Sequence, residues 1–293
     1  MSFFEVLLLT AAATLYAAAF FLALKKWARY GFISLLAGLA FHLASVAVRW
    51  IGSGHPPVFG TFEATLCASW FLLLFVAFSW RSVHGPFRLL VLTSVPMALL
   101  LLLYGLVFFN TERMPLTISE LSLWVDFHAL FSWLAFAPFT LAFCLSGFYL
   151  WSSRSGAASG PTSLLRSSEA RGNTPAHESP KRQLDIIDEL AFRYINFGFV
   201  SHTVMFALGS YYSSILFGSW WLWDPVFSIS LMAWLLVGLY IHLRLFFHWN
   251  GKRAAWFFIV VFAVIGFSYW GLVYLPTGRG GTFHVFDIDL KMH

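Results

Sequence analysis

Apolar residues dominate the chain in long runs that are separated by short polar stretches. Eight of these runs are about 18 residues or longer, the length that an α-helix needs to cross roughly 30 Å of hydrocarbon. We predict membrane spans at 3–24, 32–50, 60–80, 87–109, 126–151, 195–217, 226–248 and 254–276. The composition agrees, since hydrophobic residues make up 59% of the chain and charged residues 11%. The pattern predicts an all-α polytopic membrane protein with about eight transmembrane helices.

One polar stretch is much longer than the others. Residues 152–193 are rich in Ser, Gly, Arg and Pro, which is typical of a flexible linker, and a short helix is predicted within it at 184–193. This linker divides the chain into residues 1–151, which hold spans one to five and their external loops, and residues 194–293. The second part holds spans six to eight, a tryptophan-rich external loop and an external C-terminal tail.

Basic residues indicate the orientation, because Lys and Arg concentrate on the cytoplasmic side of membrane proteins. If the N-terminus is extracytoplasmic, 14 of the 18 Lys and Arg residues lie at the cytoplasmic ends of the spans. The remaining four lie outside: Arg49, Arg113, Arg279 and Lys291. We therefore predict a multi-pass protein of the plasma (inner) membrane, with both termini extracytoplasmic and the linker in the cytoplasm. The net charge of +5 reflects this asymmetry and does not indicate a nucleic-acid partner.

The predicted outer loop 217–225 contains the most distinctive side chains of the chain. Trp220, Trp221 and Trp223 are followed by Asp224 and a proline. Indole rings are flat and amphipathic, so three of them at a membrane surface can form a platform for a large planar ligand. Aspartate followed by proline also predicts the N-cap of the seventh helix, which would fix how this loop is presented.

Three histidines are candidate metal ligands. His128 begins the fifth span and His284 follows the eighth, so both are expected at the outer face beside the tryptophans. Two histidines on opposite sides of a porphyrin can hold haem iron, and we predict this role for the pair. His242 lies within the seventh span, where an ionisable group indicates function. A hydrogen bond to a neighbouring helix is the alternative for His242.

Other polar residues in or near the predicted spans have less specific interpretations. His42 and His202 are expected to form interhelical hydrogen bonds, and a role as a further intramembrane ligand is the alternative for each. Arg49 and Arg279 are placed to pair with haem propionates, although Arg49 could also simply extend toward the membrane surface. Glu63 suits the positive end of a helix or a hydrogen bond to a loop or cofactor.

The cysteines exclude several classes of site. Cys67 and Cys144 are the two in the sequence, and both lie inside predicted spans. They provide no disulfide framework, no zinc pair and no C-x-x-C-H motif for covalent haem attachment. Any haem bound by this chain is therefore not attached in the c-type manner.

Several stretches between residues 40 and 286 resemble, in order, the CcsA/ResC family of System II cytochrome c biogenesis, which belongs to the WWD-domain haem-handling proteins. The tryptophan segment, FGSWWLWDPVFSISLMAW, is similar to the family pattern WGxYWxWDPKETW. Four further stretches resemble the family: RWIGSGHPPVFGTFEATLCASW, LWVDFHALFSWLAFAPF, LDIIDELAFRYINFGF and GFSYWGLVYLPTGRGGTFHVF.

The resemblance implies a function and a set of roles. His128 and His284 match the family's external haem ligands, and His242 matches its intramembrane ligand. Haem b would be presented at the extracytoplasmic face and joined to the thiols of a C-x-x-C-H apocytochrome c. A ResB/Ccs1-like membrane subunit would complete the synthase and contribute another intramembrane histidine.

The tryptophan segment departs from the family pattern at several positions. Phe217 replaces the first tryptophan, and Val226, Phe227 and Ser228 replace Lys-Glu-Thr. The alternative is therefore a haem-binding accessory or regulatory membrane protein of the HemX or YpjD type, without lyase activity. A transporter of another substrate is disfavoured, because the candidate residues cluster on the outward side.

Overall fold

The computed structural model describes residues 1–82, 87–113, 116, 121–154 and 180–271, and this part of the chain forms eight α-helices. Their bounds are α1 Phe3–Leu24, α2 Ala28–Ser53, α3 Thr61–Ser82, α4 Phe87–Phe108, α5 Leu123–Arg154, α6 Pro180–Phe217, α7 Pro225–Phe246 and α8 Lys252–Gly266. A π-helical turn, Phe267–Gly271, continues directly from α8. The all-α prediction is confirmed.

Seven of the eight helices are long and apolar enough to cross a membrane. The exception is α6, which has 38 residues but is less apolar, because it carries polar residues such as Asn196, Ser201 and His202. The chain is thus a multi-pass membrane protein. Helix α6 begins inside the segment predicted as a linker, at Pro180, and so includes the short helix predicted at 184–193. Residues 155–179 lie outside the described residues.

Helix ends follow local capping rules. The hydroxyl of Ser2 and the carboxylate of Glu5 form a capping box at the start of α1. Asp224 caps α7, since its Oδ1 accepts a hydrogen bond of 2.7 Å from the Val226 amide, and Pro225 is the first helical residue. The predicted N-cap is therefore confirmed. Gly54 ends α2 with a φ of 79°, a conformation that glycine adopts without strain.

Helix α5 is central to the bundle and packs against α3, α4, α6 and α8, with its largest contact on α6. Buried apolar residues from seven of the helices join around it in one continuous core. Large apolar side chains on the outer surfaces remain exposed, including Met232, Leu235 and Leu239 on α7. Such surfaces suit contact with lipid, because helices already satisfy their own backbone hydrogen bonds.

Candidate functional site

A cavity of about 290 Å³ opens where α3, α5, α6, α7 and the π-helical turn meet, and we call it the His128 cavity. Its lining is mostly apolar, with a few polar side chains: Val58, Ala64, His128, Ala129, Ser132, Trp133, Met205, Phe206, Gly209, Val226, Phe227, Ser230, Ser268 and Tyr269. An apolar cavity with a small number of convergent polar groups is the usual form of a small-molecule site.

The orientation of His128 is set by two residues of α6. Its Nδ1 lies 2.9 Å from the carbonyl oxygen of Met205, and since a carbonyl only accepts, Nδ1 carries the proton and donates. The ring rests on Gly209, where an added Cβ would be 2.9 Å from its Cε1 and Nδ1. In the neutral ring the lone pair is therefore on Nε2, and a neutral imidazole nitrogen of this kind can bind a metal.

Hydroxyl groups also line the His128 cavity. The Oγ atoms of Ser230 on α7 and Ser268 in the π-helical turn are 3.1 Å apart. The Tyr269 hydroxyl donates to the carbonyl oxygen of Ser132, at 2.9 Å, and so ties the turn to α5. Short π-helical segments are frequent at functional sites, and this one places two polar residues in the cavity wall.

The three tryptophans of the loop occupy different environments. Trp221 packs beneath the loop, with its ring centroid 6.1 Å from that of Phe206 and 5.6 Å from that of Phe227, two residues of the cavity wall. Trp220 and Trp223 are 62% and 88% exposed. The loop therefore contributes one ring to the packing behind the cavity and two rings to the exposed surface beside it.

An aromatic series also joins this loop to α5 and α6. The ring of Tyr211 lies 4.7 Å from Trp124 and 5.8 Å from Trp220, measured between centroids. Aromatic pairs at these distances add to stability beyond the area that they bury. The start of α5, the end of α6 and the loop are thus joined by aromatic contacts.

His242 lies far from this cavity. It is exposed on the outer surface of α7, where its ring contacts Phe246 and Phe247. Fifteen residues of α7 separate it from the cavity residue Phe227, which corresponds to about 22 Å along the helix axis. His128 and His242 therefore cannot bind the same ion.

The guanidinium of Arg49 is buried among protein partners. Its Nε donates to Glu63, and its two terminal nitrogens donate to the carbonyl oxygens of Thr111 and Glu112. The predicted contact of Arg49 with a haem propionate stays a prediction. His284 and Arg279 lie outside the described residues, so their predicted roles also stay predictions.

The other polar residues of the helices have different surroundings. His42 is fully buried, and its Nδ1 lies 3.1 Å from the hydroxyl of Tyr16, an interhelical hydrogen bond as predicted. His202 is buried on α6, and neither ring nitrogen has a hydrogen-bond partner among the described residues, so the bond predicted for it is not formed there.

Gly209, Ser230, Ser268 and Tyr269 were not identified from the sequence as site residues. Gly209 is 81 residues from His128 along the chain, and the two serines are 38 residues apart. Glycine, serine and tyrosine are all common in apolar segments, so no local pattern distinguishes these four residues. Only the packing of different helices brings them to the cavity.

Comparison with known proteins identifies the family. The model of the family described as "Cytochrome C assembly protein" matches residues 58–278. The chain is 28% identical over 249 residues to the cytochrome c biogenesis protein CcsA of Synechococcus sp. (strain RCC307), covering 80% of this chain and 78% of that protein. The CcsA protein of Porphyra purpurea is 26% identical, with 84% of each chain covered. The CcsA protein of Parasynechococcus marenigrum (strain WH8102) is 28% identical, with 88% of each covered.

These matches confirm the resemblance seen in the sequence and include the loop, the His128 cavity and α7. The low sequence identity to these relatives, over most of the chain length, indicates a divergent member of their family. The chain belongs to the cytochrome c assembly protein family.

Proposed function

We propose that the chain is the haem-handling subunit of a cytochrome c synthase, which presents haem b at the extracytoplasmic face for thioether attachment to apocytochrome c. The observation that carries this proposal is the placement of His128. Its imidazole lines the cavity, and its hydrogen bond to Met205 puts the lone pair on Nε2, an atom that can ligate iron. Membership of the family and the similarity to CcsA proteins support a role in cytochrome c biogenesis.

We infer that the cavity and the loop together accommodate a porphyrin. At about 290 Å³ the cavity is near the lower end of the roughly 300–1,000 Å³ usual for small-molecule sites, so it would hold part of the ring. The rest would extend toward Trp220 and Trp223, whose exposed indoles suit contact with a flat apolar face. His284 is proposed as the second axial ligand.

The residues of the chain would act by orienting the haem relative to the thiols of the apocytochrome. Each thiol of the C-x-x-C-H substrate adds across a haem vinyl group, so that a carbon–sulfur bond forms, the thiol proton goes to the other vinyl carbon and no net oxidation occurs. His128 would hold the iron at one depth, and the tryptophans would limit rotation of the ring. Fixing both reactants in this way can supply a large part of a rate enhancement.

The charges of the two ends of the bundle support the proposed orientation. Basic residues lie at the end opposite His128, where Arg88 donates to the carbonyl oxygen of Ala23 at 2.7 Å and Arg154 lies over the ring of Trp256. Among the described residues, the end with His128 holds few cations, Arg49 and Arg113. Since Lys and Arg concentrate on the cytoplasmic side, we assign the His128 cavity to the extracytoplasmic face of the inner membrane.

His242 is proposed as a ligand of a separate intramembrane haem site. Its exposure on the apolar outer surface of α7 supports a site that this chain shares with a second protein. A ResB/Ccs1-like subunit that supplies another histidine would complete the coordination of the iron. The two sites would then hold haem at different depths of the membrane.

A second candidate function, a haem-binding accessory protein without lyase activity, is favoured by one observation. Val226 and Phe227, which replace a lysine and a glutamate of the family pattern, both line the His128 cavity. The cavity is therefore apolar where the family pattern has charges. Haem would still bind, but any contribution of those charges to attachment would be missing.

Haem spectra of the purified chain test the proposal. We expect wild type to carry haem with the low-spin spectrum of two histidine ligands, and His128→Ala to lose that spectrum. His248→Asn is the matched control, because His248 is exposed at the other end of the bundle and asparagine tolerates its φ of 53°. A wild-type protein that binds no haem would refute the proposal.

Co-expression separates the two candidate functions. The chain would be produced with a C-x-x-C-H substrate and a ResB/Ccs1-like partner, and covalent haem on the substrate would be measured after denaturing electrophoresis. Attachment that is lost in His128→Ala supports the synthase. Haem binding without attachment supports the accessory protein.

A further inference from the structure

A buried ionic cluster lies next to the His128 cavity, at the outer ends of α1, α2 and α3. At its centre is Arg49, whose side chain is 2% exposed. The Nε of Arg49 donates to Glu63 Oε1 at 2.6 Å, while Nη1 and Nη2 donate to the carbonyl oxygens of Thr111 and Glu112, both at 3.1 Å. Each nitrogen of the guanidinium thus has a protein partner.

Both guanidiniums of this cluster pair with carboxylates. Arg49 pairs with Glu63, and the Nη2 of Arg113 pairs with Glu5 Oε1 at 2.6 Å. Glu5 also lies 3.7 Å from the Nη1 of Arg49. Each of the two guanidiniums therefore already has a carboxylate of the chain itself as its partner, and the role of counter-ion that a ligand carboxylate would take is filled.

The carboxylate of Glu63 connects the cluster to the cavity wall. Its Oε2 accepts a hydrogen bond of 3.2 Å from the amide of Phe59. Val58, next to Phe59, and Ala64, next to Glu63, are both cavity residues. The carboxylate of Glu63 thus holds in place the segment from Val58 to Ala64, which forms part of the cavity wall.

Arg49 holds a second segment at the same time. Its two bonds to carbonyl oxygens attach residues 111 and 112 to α2, and this segment follows α4 on the way to α5, which carries His128. An arginine can do this because its planar fork offers several donors in fixed directions, which a lysine lacks. The side chain of Arg49 thus links two segments near the cavity: residues 111–112 directly, and residues 58–64 through Glu63.

We propose that Arg49 and Glu63 are positioning residues of the haem site, and that Arg49 does not bind a haem propionate. The inference rests on the proposed haem function. It gives Glu63 a role that the sequence left open, and it replaces the propionate contact predicted for Arg49 with an internal one.

The test compares two porphyrins in three variants of the full chain. Haem and haem dimethyl ester, in which both propionates are esterified, are titrated into wild type, Arg49→Lys and Glu63→Gln. Changes to residues that support metal ligands commonly lower affinity on the order of 10- to 100-fold. We expect a loss in this range for both variants and the same factor for both porphyrins. Arg193→Ala, which removes an exposed ion pair at the other end of the bundle, is the control and should bind like wild type.

Two results would overturn the proposal. A loss in Arg49→Lys that occurs with haem but not with its dimethyl ester would identify Arg49 as a propionate ligand. Unchanged affinity in both variants would show that the cluster does not position the site.

Hydrogen exchange provides a readout that needs no haem. We expect the amides of residues 58–64 and 111–112 to exchange faster in Arg49→Lys and Glu63→Gln than in wild type or Arg193→Ala. Unchanged exchange would contradict the positioning role even if haem binding were altered. If wild type binds neither porphyrin, the proposed haem function fails, while the exchange experiment still tests the cluster.

Discussion

The two ends of the bundle are built differently, although each has a buried arginine and a candidate histidine. At the end with His128, a cavity opens between the helices, and the histidine lines it. At the opposite end, Arg244 pairs with Asp188 at 2.9 Å, the Gly251 amide donates to the same carboxylate, and His242 faces outward. One end is packed for stability and the other leaves room for a ligand.

The contrast teaches how to interpret two of the histidines that the sequence offers as candidate metal ligands. His128 has its hydrogen-bond partner, its glycine seat and its cavity within this chain. His242 is exposed, and its ring contacts Phe246 at the end of α7 and Phe247, the residue that follows it. The site proposed at His128 is thus largely self-contained, whereas the site proposed at His242 would need a partner.

Removing the buried ion pair between Arg244 and Asp188 should have the largest effect on stability. Arg244 and Asp188 are 8% and 13% exposed, and removal of one member of a buried ion pair typically costs about 3–5 kcal/mol. We expect Arg244→Ala to lower the free energy of unfolding by about this amount, measured by denaturant titration in detergent. Haem bound at the His128 cavity should keep its spectrum in protein that remains folded.

Arg193→Ala is the control for this substitution. Arg193 pairs with Glu189, but its side chain is 73% exposed, and such pairs are worth about 0–1 kcal/mol. Equal losses of stability in the two variants would contradict the contrast between a buried and an exposed ion pair.

A side chain added at Gly209, against which the His128 ring packs, should weaken haem binding. In Gly209→Ala the new Cβ would force the imidazole to shift, because it would lie 2.9 Å from the ring. We expect haem affinity to fall on the order of 10- to 100-fold, as when a group that orients a metal ligand is lost. Haem titration followed by absorbance measures this change.

Gly147→Ala is the matched control, since nothing lies within 4 Å of a Cβ added at Gly147 in α5. Alanine favours a helix over glycine by up to about 1 kcal/mol, so this variant should be slightly more stable than wild type and bind haem normally. Normal haem affinity in Gly209→Ala would show that the close contact with Gly209 does not determine the position of His128.

Removing the cap of α7 should have a moderate effect. In Asp224→Ala the Val226 amide loses its acceptor, which typically costs about 1 kcal/mol. Asp224→Asn keeps an acceptor oxygen and should retain most of that stability. Thermal unfolding in detergent measures both, and an Asn variant as unstable as the Ala variant would indicate that the carboxylate charge, and not the cap, is required.

The smallest effect on the isolated chain is expected for His242→Ala. Exposed substitutions usually change stability by less than about 0.5 kcal/mol, and the His128 cavity is too far away to be affected. Haem binding by the chain alone should be unchanged, whereas intramembrane haem should be lost from a complex with a ResB/Ccs1-like partner. Loss of haem from the isolated His242→Ala chain would contradict the separation of the two sites.

The helices could be predicted closely from the sequence, and the site only in part. The predicted span 3–24 coincides with α1, and the other predicted starts lie within four residues of the helices except for α6, which begins 15 residues earlier. The first turns of α6 are amphipathic and charged, so a search for apolar runs cannot find them. Asp224 could be identified as a cap because capping depends on adjacent residues.

By itself, the sequence determined the class of the protein, the approximate helix bounds and the family, because the length of an apolar run and the order of motifs are properties of the linear chain. It also singled out His128 and the tryptophans. Only the tertiary structure decided that His128 faces a cavity, that His242 faces outward, and that Arg49 is held by Glu63. The reason is physical: a side chain's partners depend on which helices meet and how they are rotated, and the residues around this cavity extend from Val58 to Tyr269.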